Sequence, residues 1–258
     1  MASNRWLVSV IIVTLVGFAA AVDRAAAEET PGSGQPSNQI GLVKDHAPIK
    51  YAGATVYFVD GKFAGQDKLT QTWSIVERKE GKSEHAFKIE THAIHSDAEE
   101  GKPSFIGRNK SKNDLENSEM YELFHQDNDR DLVLDAIVGR DGKPEEFDAA
   151  RELYLYPGTM KIGTKWVCEP VTSTLPGPCQ HEVIGSEIYK GTNCWVIRSD
   201  REPERILLIP NSGTVKKSTR FLFDPETLSV LHIESVTEGL GPFGRPFRFV
   251  TELEVAEK

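Results

Sequence analysis

The chain has 258 residues, with 30 Lys and Arg against 39 Asp and Glu and a net charge of −9. An acidic surface of that size repels nucleic acid and anionic lipid at long range, so the balance disfavours both as partners and favours solubility. The length suffices to bury a sizeable core.

Arg5 supplies a basic start, Trp6 to Phe18 form an apolar run, and Ala25-Ala26-Ala27 offers the small-residue site that signal peptidase needs. Residues 1–27 therefore read as a cleaved export signal, with the mature chain beginning at Glu28. The run falls short of the roughly 20 apolar residues of a membrane span, and nothing later approaches that length, so no transmembrane anchor is expected. Removing residues 1–27 takes away Arg5, Arg24 and Asp23, which leaves 28 basic and 38 acidic residues and a net charge of −10. Residues 28–47, rich in Gly, Pro, Ser and Gln up to Lys44, read as a flexible leader.

From Pro48 onward the dominant pattern is period-two alternation, the signature of strands with one buried face. Leu69, Trp73 and Ile75 share one side of a segment whose other side is Lys68, Thr70, Thr72 and Ser74. Phe87, Ile89 and Ala93 do the same against Lys88, Glu90 and His92. Further strands fit Thr55 to Val59, Met120 to His125, Leu132 to Val138, Trp166 to Glu169, His181 to Tyr189, Cys194 to Arg198 and Arg205 to Ile209. One helix interrupts them. Pro144 at a first-turn position, Glu145 and Glu146 beside the positive helix end, and Phe147, Ala150, Leu153 and Tyr154 at three-to-four spacing predict a short helix ending near Pro157-Gly158.

Thr219, Phe221 and Phe223 alternate up to a turn at Asp224-Pro225-Glu226-Thr227, where proline presets φ and aspartate accepts from the backbone. Leu228 to Thr237 then runs back. Phe247, Phe249, Thr251, Leu253 and Val255 form a last strand against Arg248, Glu252 and Glu254. About a dozen strands without alternating βα units predict a mainly β fold, a large curved antiparallel sheet or open half-barrel with one short helix, as a single domain over residues 48–258.

Cys168, Cys179 and Cys194 are the only cysteines. In an oxidising compartment the simplest arrangement is one disulfide and one spare thiol. Cys168 and Cys179 flank the turn-rich segment from Glu169 to Pro178, so the 168–179 pair is expected, with Cys194 as the competing partner. Closing so short a loop contributes about 3 kcal/mol in the chain-entropy model.

The motif search excludes more than it finds. Gly239-Leu240-Gly241-Pro242-Phe243-Gly244 matches the dinucleotide fingerprint by letter, but Pro246 and an alternating strand follow where a helix is required. His92 and His95, three apart on a strand, project to opposite faces, and His125 and His181 are scattered, so no metal site is expected. Asp127, Asp129 and Asp131 have calcium-loop spacing, yet Leu132 and Val138 stand where the turn glycine and bidentate glutamate belong. Nucleophile-elbow, Walker A and C-x-x-C motifs do not occur, and no cofactor is indicated. Trp73, Trp166 and Trp195 sit in alternating runs that read as core.

Residues 156–224 carry Tyr156-Pro157-Gly158, Gly163-Thr164-Lys165-Trp166, Gly185-Ser186-Glu187, Cys194-Trp195-Val196-Ile197 and Phe221-Leu222-Phe223-Asp224-Pro225. This layout resembles the half-barrel domains of the bacterial lipoprotein-carrier superfamily and their exported relatives. The resemblance implies a curved antiparallel sheet that wraps a helix and presents an apolar concavity to a lipid or acyl chain. No lipobox cysteine follows the leader, and the resemblance carries over no binding residue.

The reading that follows is an exported, periplasmic or extracellular, non-catalytic binding or envelope-associated module. An apolar small molecule, a lipid or an envelope protein is its expected partner. Trp73, Phe87, Phe147, Phe221 and Phe249 are the residues expected to line an apolar site. Two alternatives stay open: a secreted hydrolase whose carboxylates or histidines converge only in three dimensions, and a structural or protein-interaction domain.

Overall fold

A computed structural model describes residues 35–44, 48–97, 115–140, 156–168, 179–205, 214–241 and 244–256. The alternating segments become eleven strands: β1 (Ile49–Val59), β2 (Lys62–Glu80), β3 (Ser83–Asp97), β4 (Leu115–Gln126), β5 (Leu132–Gly139), β6 (Lys165–Cys168), β7 (Cys179–Tyr189), β8 (Thr192–Arg205), β9 (Thr214–Asp224), β10 (Ser229–Leu240) and β11 (Pro246–Val255). They form one sheet in the order β5-β4-β3-β2-β1-β11-β10-β9-β8-β7-β6. Every neighbouring pair is antiparallel. The expected mainly β class is what the chain adopts, and the sheet is open: β5 and β6 lie at opposite edges.

The two arms of this sheet are meanders joined in the middle by the first and last strands. Local turns account for the arms. Between β1 and β2, Asp60 and Gly61 both take positive φ, 52° and 73°, as a two-residue hairpin whose twist matches its strands requires. Between β9 and β10, the Asp224 carboxylate accepts from the Glu226 amide at 2.9 Å and the Thr227 hydroxyl at 2.6 Å, the turn its sequence predicts. Of the glycine-rich segment before β11, Gly239 and Leu240 end β10, and past them the Gly241 amide donates to the Arg245 carbonyl at 2.8 Å.

One face of the sheet carries the main core: Tyr51, Trp73, Phe87, Phe124, Trp195, Phe221, Phe223 and Leu253 all belong to one buried cluster. Two irregular segments cover it. Residues 35–44 and 156–164 run beside each other through an isolated antiparallel bridge between Gln39 and Thr159. The Ile40 amide donates to the Gly158 carbonyl at 3.0 Å and the Met160 amide to the Asn38 carbonyl at 2.7 Å. Ile40, Tyr156 and Met160 are buried in the cluster, and the Tyr156 ring stacks on Phe223 with centroids 4.0 Å apart.

That arrangement corrects the reading of residues 28–47 as a flexible leader, at least over 35–44. Its polar composition hides a buried anchor, Ile40, with Val43 packed half-buried against the same core, and a set of backbone bonds that only the folded sheet supplies. Gly41 donates to the Pro225 carbonyl at 2.7 Å, and the Gln126 side chain bonds both Val43 and Gly41 at 3.0 Å. Gly41 also passes so close to Glu226 that a Cβ there would collide with its carbonyl oxygen. The expected strand at Arg205 to Ile209 starts on the last residue of β8, and residues 206–209 lie outside the described residues. So do the export signal, residues 28–34, and the expected helix from Pro144 with its Phe147.

Candidate functional site

Strand register builds a polar row across the inner face. Ser199 on β8 stands opposite Thr219 on β9, Thr219 opposite Ser235 on β10, Ser235 opposite Thr251 on β11, and Thr251 opposite Thr55 on β1. All five are buried, at 4% exposure or less. The Thr219 and Ser235 hydroxyls bond each other at 3.0 Å, and Ser199 meets the Cys179 thiol at 3.0 Å. Among the described residues the hydroxyls of Thr55 and Thr251 have no hydrogen-bond partner. Beside them on β2, buried Asp67 accepts from the Tyr57 hydroxyl.

This row separates the main core from a second apolar cluster that contains Tyr57, Phe247 and Phe249. Beyond that cluster, where β9 begins, β10 ends and β11 begins, the sheet opens into a cleft of about 450 Å³. Leu240 and Pro246 supply its apolar walls and Lys216, Glu238 and Arg248 its charges, while Phe247, which also borders it, turns its ring to the other face of the sheet against Phe249. The three charged residues are direct neighbours across β9, β10 and β11. Strand spacing of about 4.8 Å keeps the two cations roughly 10 Å apart at the backbone, so both side chains reach toward one bound group only from opposite sides. Among the described residues neither Lys216 nor Arg248 forms an ion pair. Other cations on the sheet are paired, Arg198 with Glu182 at 2.8 Å, Arg220 with Glu187 at 2.6 Å and Lys190 with Glu254 at 3.3 Å, while exposed Lys50 and Lys68, like Lys216 and Arg248, form no ion pair among the described residues.

The residues expected to line an apolar site fall elsewhere. Trp73, Phe87 and Phe221 lie in the main core, under Ile40, Tyr156 and Met160 of the chain itself. Phe249 lies in the second cluster, 8% exposed, and is the one that comes near the cleft, one strand position pair from Phe247 at a ring distance of 4.5 Å. Phe147 is outside the described residues. Trp166 and Trp195 are core as expected: Trp195 is fully buried with its indole N–H donating to the Ser37 carbonyl at 3.0 Å, and Trp166 stacks on His181 at 4.9 Å.

The fold also assembles one histidine site that sequence could not show. A bulge in β5 aims Asp135 at its neighbours, where the carboxylate accepts from the Ser83 hydroxyl at 2.7 Å and lies 2.9 Å from His125 Nδ1. In a serine hydrolase the hydroxyl would bond the imidazole, which then takes its proton. Here Ser83 bonds the carboxylate, so the trio ties the β2–β3 turn to the edge strand and does not activate a nucleophile. The aspartates of the β4–β5 turn are likewise engaged by backbone: Asp127 accepts from the amides of Asp129 and Asp131 at 2.9 Å, and Asp131 from Gly158 at 2.5 Å. No group of three metal-ligating side chains occurs among the described residues.

The backbones of Cys168 and Cys179 are directly opposed on β6 and β7. The expected Cys168–Cys179 disulfide is not formed in this structure: Cys179 is a free, buried thiol held at 3.0 Å from the Ser199 hydroxyl and 3.7 Å from the Asp200 carbonyl. Cys194 is buried in a small cluster with Val196 and Leu222, and burial, with Asp224 and Glu187 adding to it, pushes its thiol up to about 12.

No family model and no curated protein matches this chain. Among solved structures, a DUF1329 family protein from Desulfovibrio piger is 8% identical, over 80% of this chain and 83% of that one, with a TM-score of 0.22. At that score the likeness carries no argument about function. The cleft residues Lys216, Leu240 and Arg248 have to speak for themselves. In the sequence each is an ordinary outward position on a strand, and only register makes them neighbours.

Proposed function

We propose that the protein is an exported, non-catalytic binding module that takes a single-chain amphipathic anion, of the fatty-acid kind, in the cleft between β9, β10 and β11. The observation that carries this reading is the cleft's lining: two cations without an ion pair among the described residues, beside Leu240 and Pro246, on a chain whose net charge is −9. An anionic head paired with Arg248 and Lys216, over an alkyl chain on the apolar wall, satisfies both halves at once. The resemblance of residues 156–224 to lipoprotein-carrier half-barrels supports a lipid-like ligand. It does not place that ligand under the sheet, where the chain fills its own core.

Palmitate below its micelle concentration is the probe. Replacing Lys216→Ala and Arg248→Ala together lowers its affinity about tenfold, since an exposed charge pair contributes up to about 1 kcal/mol. Affinity for the uncharged palmityl alcohol stays within twofold. Equal losses for both, or no measurable binding of palmitate by the unaltered protein, overturns the proposal.

Export has its own readout in the thiols. In an oxidising compartment Cys168 and Cys179 close across β6 and β7, and Cys194 remains a thiol. Protein recovered from the periplasm or medium then shows no reactive thiol while folded, because a buried, protonated Cys194 does not attack a disulfide reagent. Unfolded without reductant, it shows one. Three reactive thiols after unfolding contradict the oxidised state and the compartment with it.

A further inference from the structure

The cleft opens onto a surface that continues past its own lining, and the geometry points to that surface as a docking site for an anionic lipid bilayer. This inference rests on the proposed amphiphile cleft for its purpose, and on separate residues for its evidence. The β1–β2 hairpin tip lies beside the start of β11: the Asp60 amide donates to the Pro246 carbonyl at 2.9 Å, and Arg245 holds the Asp60 carboxylate through Nε at 3.0 Å. The tip therefore projects next to the cleft mouth, where Gly61 forms part of the lining.

Phe63 stands on that tip, opposite Phe58 and touching it edge-on with centroids 6.5 Å apart, yet it is 49% exposed. Leu240, across the mouth, is 44% exposed. Phe58 in turn stands opposite Arg248. The end of the sheet thus presents an aromatic and an aliphatic side chain to solvent, with Lys62, Lys216 and Arg248 around them. Among the described residues none of these three cations forms an ion pair. Glu238 is the one carboxylate within the group that no cation holds, and Asp60 is neutralised by Arg245.

Apolar side chains that enter the headgroup region, ringed by cations that meet anionic phosphates, are the two components of peripheral membrane binding. The match in charge selects the occupant. A neutral protein surface would leave three desolvated cations with one carboxylate, Glu238, between them, whereas an anionic bilayer supplies a phosphate to each. The net negative charge elsewhere keeps the rest of the molecule off the surface and so fixes which end approaches. A cleft opening at that end meets the bilayer mouth first, as a protein that exchanges an amphiphile with a membrane requires.

The test uses the protein in its exported form and two substitutions outside the cleft lining, Lys62→Gln and Phe63→Ser. Sedimentation with vesicles of equal parts phosphatidylglycerol and phosphatidylcholine is expected to carry the unaltered protein down, and vesicles of phosphatidylcholine alone to carry far less. Each substitution lowers partitioning about fivefold, the first through a lost phosphate contact and the second through lost apolar burial. Raising the salt to well above physiological strength weakens the interaction further. Binding that ignores lipid charge, or that both variants retain in full, overturns the docking site. The variants keep their affinity for soluble palmitate if the cleft functions as proposed. Vesicle binding without palmitate binding would instead leave the docking surface standing and remove the cleft's ligand.

Discussion

Replacing Thr55→Val or Thr251→Val should make the protein more stable, by about 1–2 kcal/mol each in denaturant unfolding. Both hydroxyls are buried and, among the described residues, unpartnered. A buried hydroxyl without a hydrogen bond costs its lost hydration, about 1–3 kcal/mol, and valine keeps the shape and removes that cost. The control sits two strands away in the same row. Thr219→Val, equally buried, strips Ser235 of its 3.0 Å partner and should destabilise by about 1 kcal/mol. One substitution type at three positions of one row thus changes sign with a single variable, whether the hydroxyl is bonded. The two stabilising changes stand directly opposite each other, so the double variant need not equal their sum. Destabilisation by Thr55→Val would show that a bound group satisfies this hydroxyl in solution.

The second large effect concerns the segment that composition makes look like a tail. Ile40→Ala should lose about 3 kcal/mol, which for a domain of this size lowers Tm by about 6–12 °C. Ile40 is fully buried against the main core, and truncating it opens a cavity that polar neighbours do not fill. Leu42, two residues on and 57% exposed, is the comparison: Leu42→Ala should stay within about 0.5 kcal/mol. Equal, small effects at both positions would restore residues 35–44 to the status of a solvated leader. The consequence for function is direct. Trp73, Phe87 and Phe221 lie in the core cluster that Ile40, Tyr156 and Met160 join, whereas the cleft at the far end of the strands is open to solvent.

Local chemistry made much of this fold legible. Alternation at Leu69, Trp73 and Ile75, at Phe87, Ile89 and Ala93, and at Phe221 and Phe223 identifies both the strands and their buried faces, because a pleated chain sends successive side chains to opposite sides. Asp224-Pro225-Glu226-Thr227 turns as its residues dictate, and Pro246 ends any claim of the glycine run on a nucleotide. The core character of Trp73 and Trp195 is equally local. These features depend on a few neighbours along the chain and survive in any register.

Tertiary structure alone decided what stands next to what. Nothing near β1 or β11 announces that the two ends of the domain pair in the middle of the sheet, yet that pairing sets Thr55 against Thr251 and completes the hydroxyl row. Nothing in the sequence separates Ile40, which is fully buried beside Tyr156 and Met160, from Leu42, which is 57% exposed. The acidic total of the chain speaks against anionic lipid, but net charge is an average, and the sheet gathers Lys62, Lys216 and Arg248 at one end. A strand's sequence determines which face each side chain takes, whereas its neighbours depend on register, and register is settled by the sum of all eleven strands packing at once.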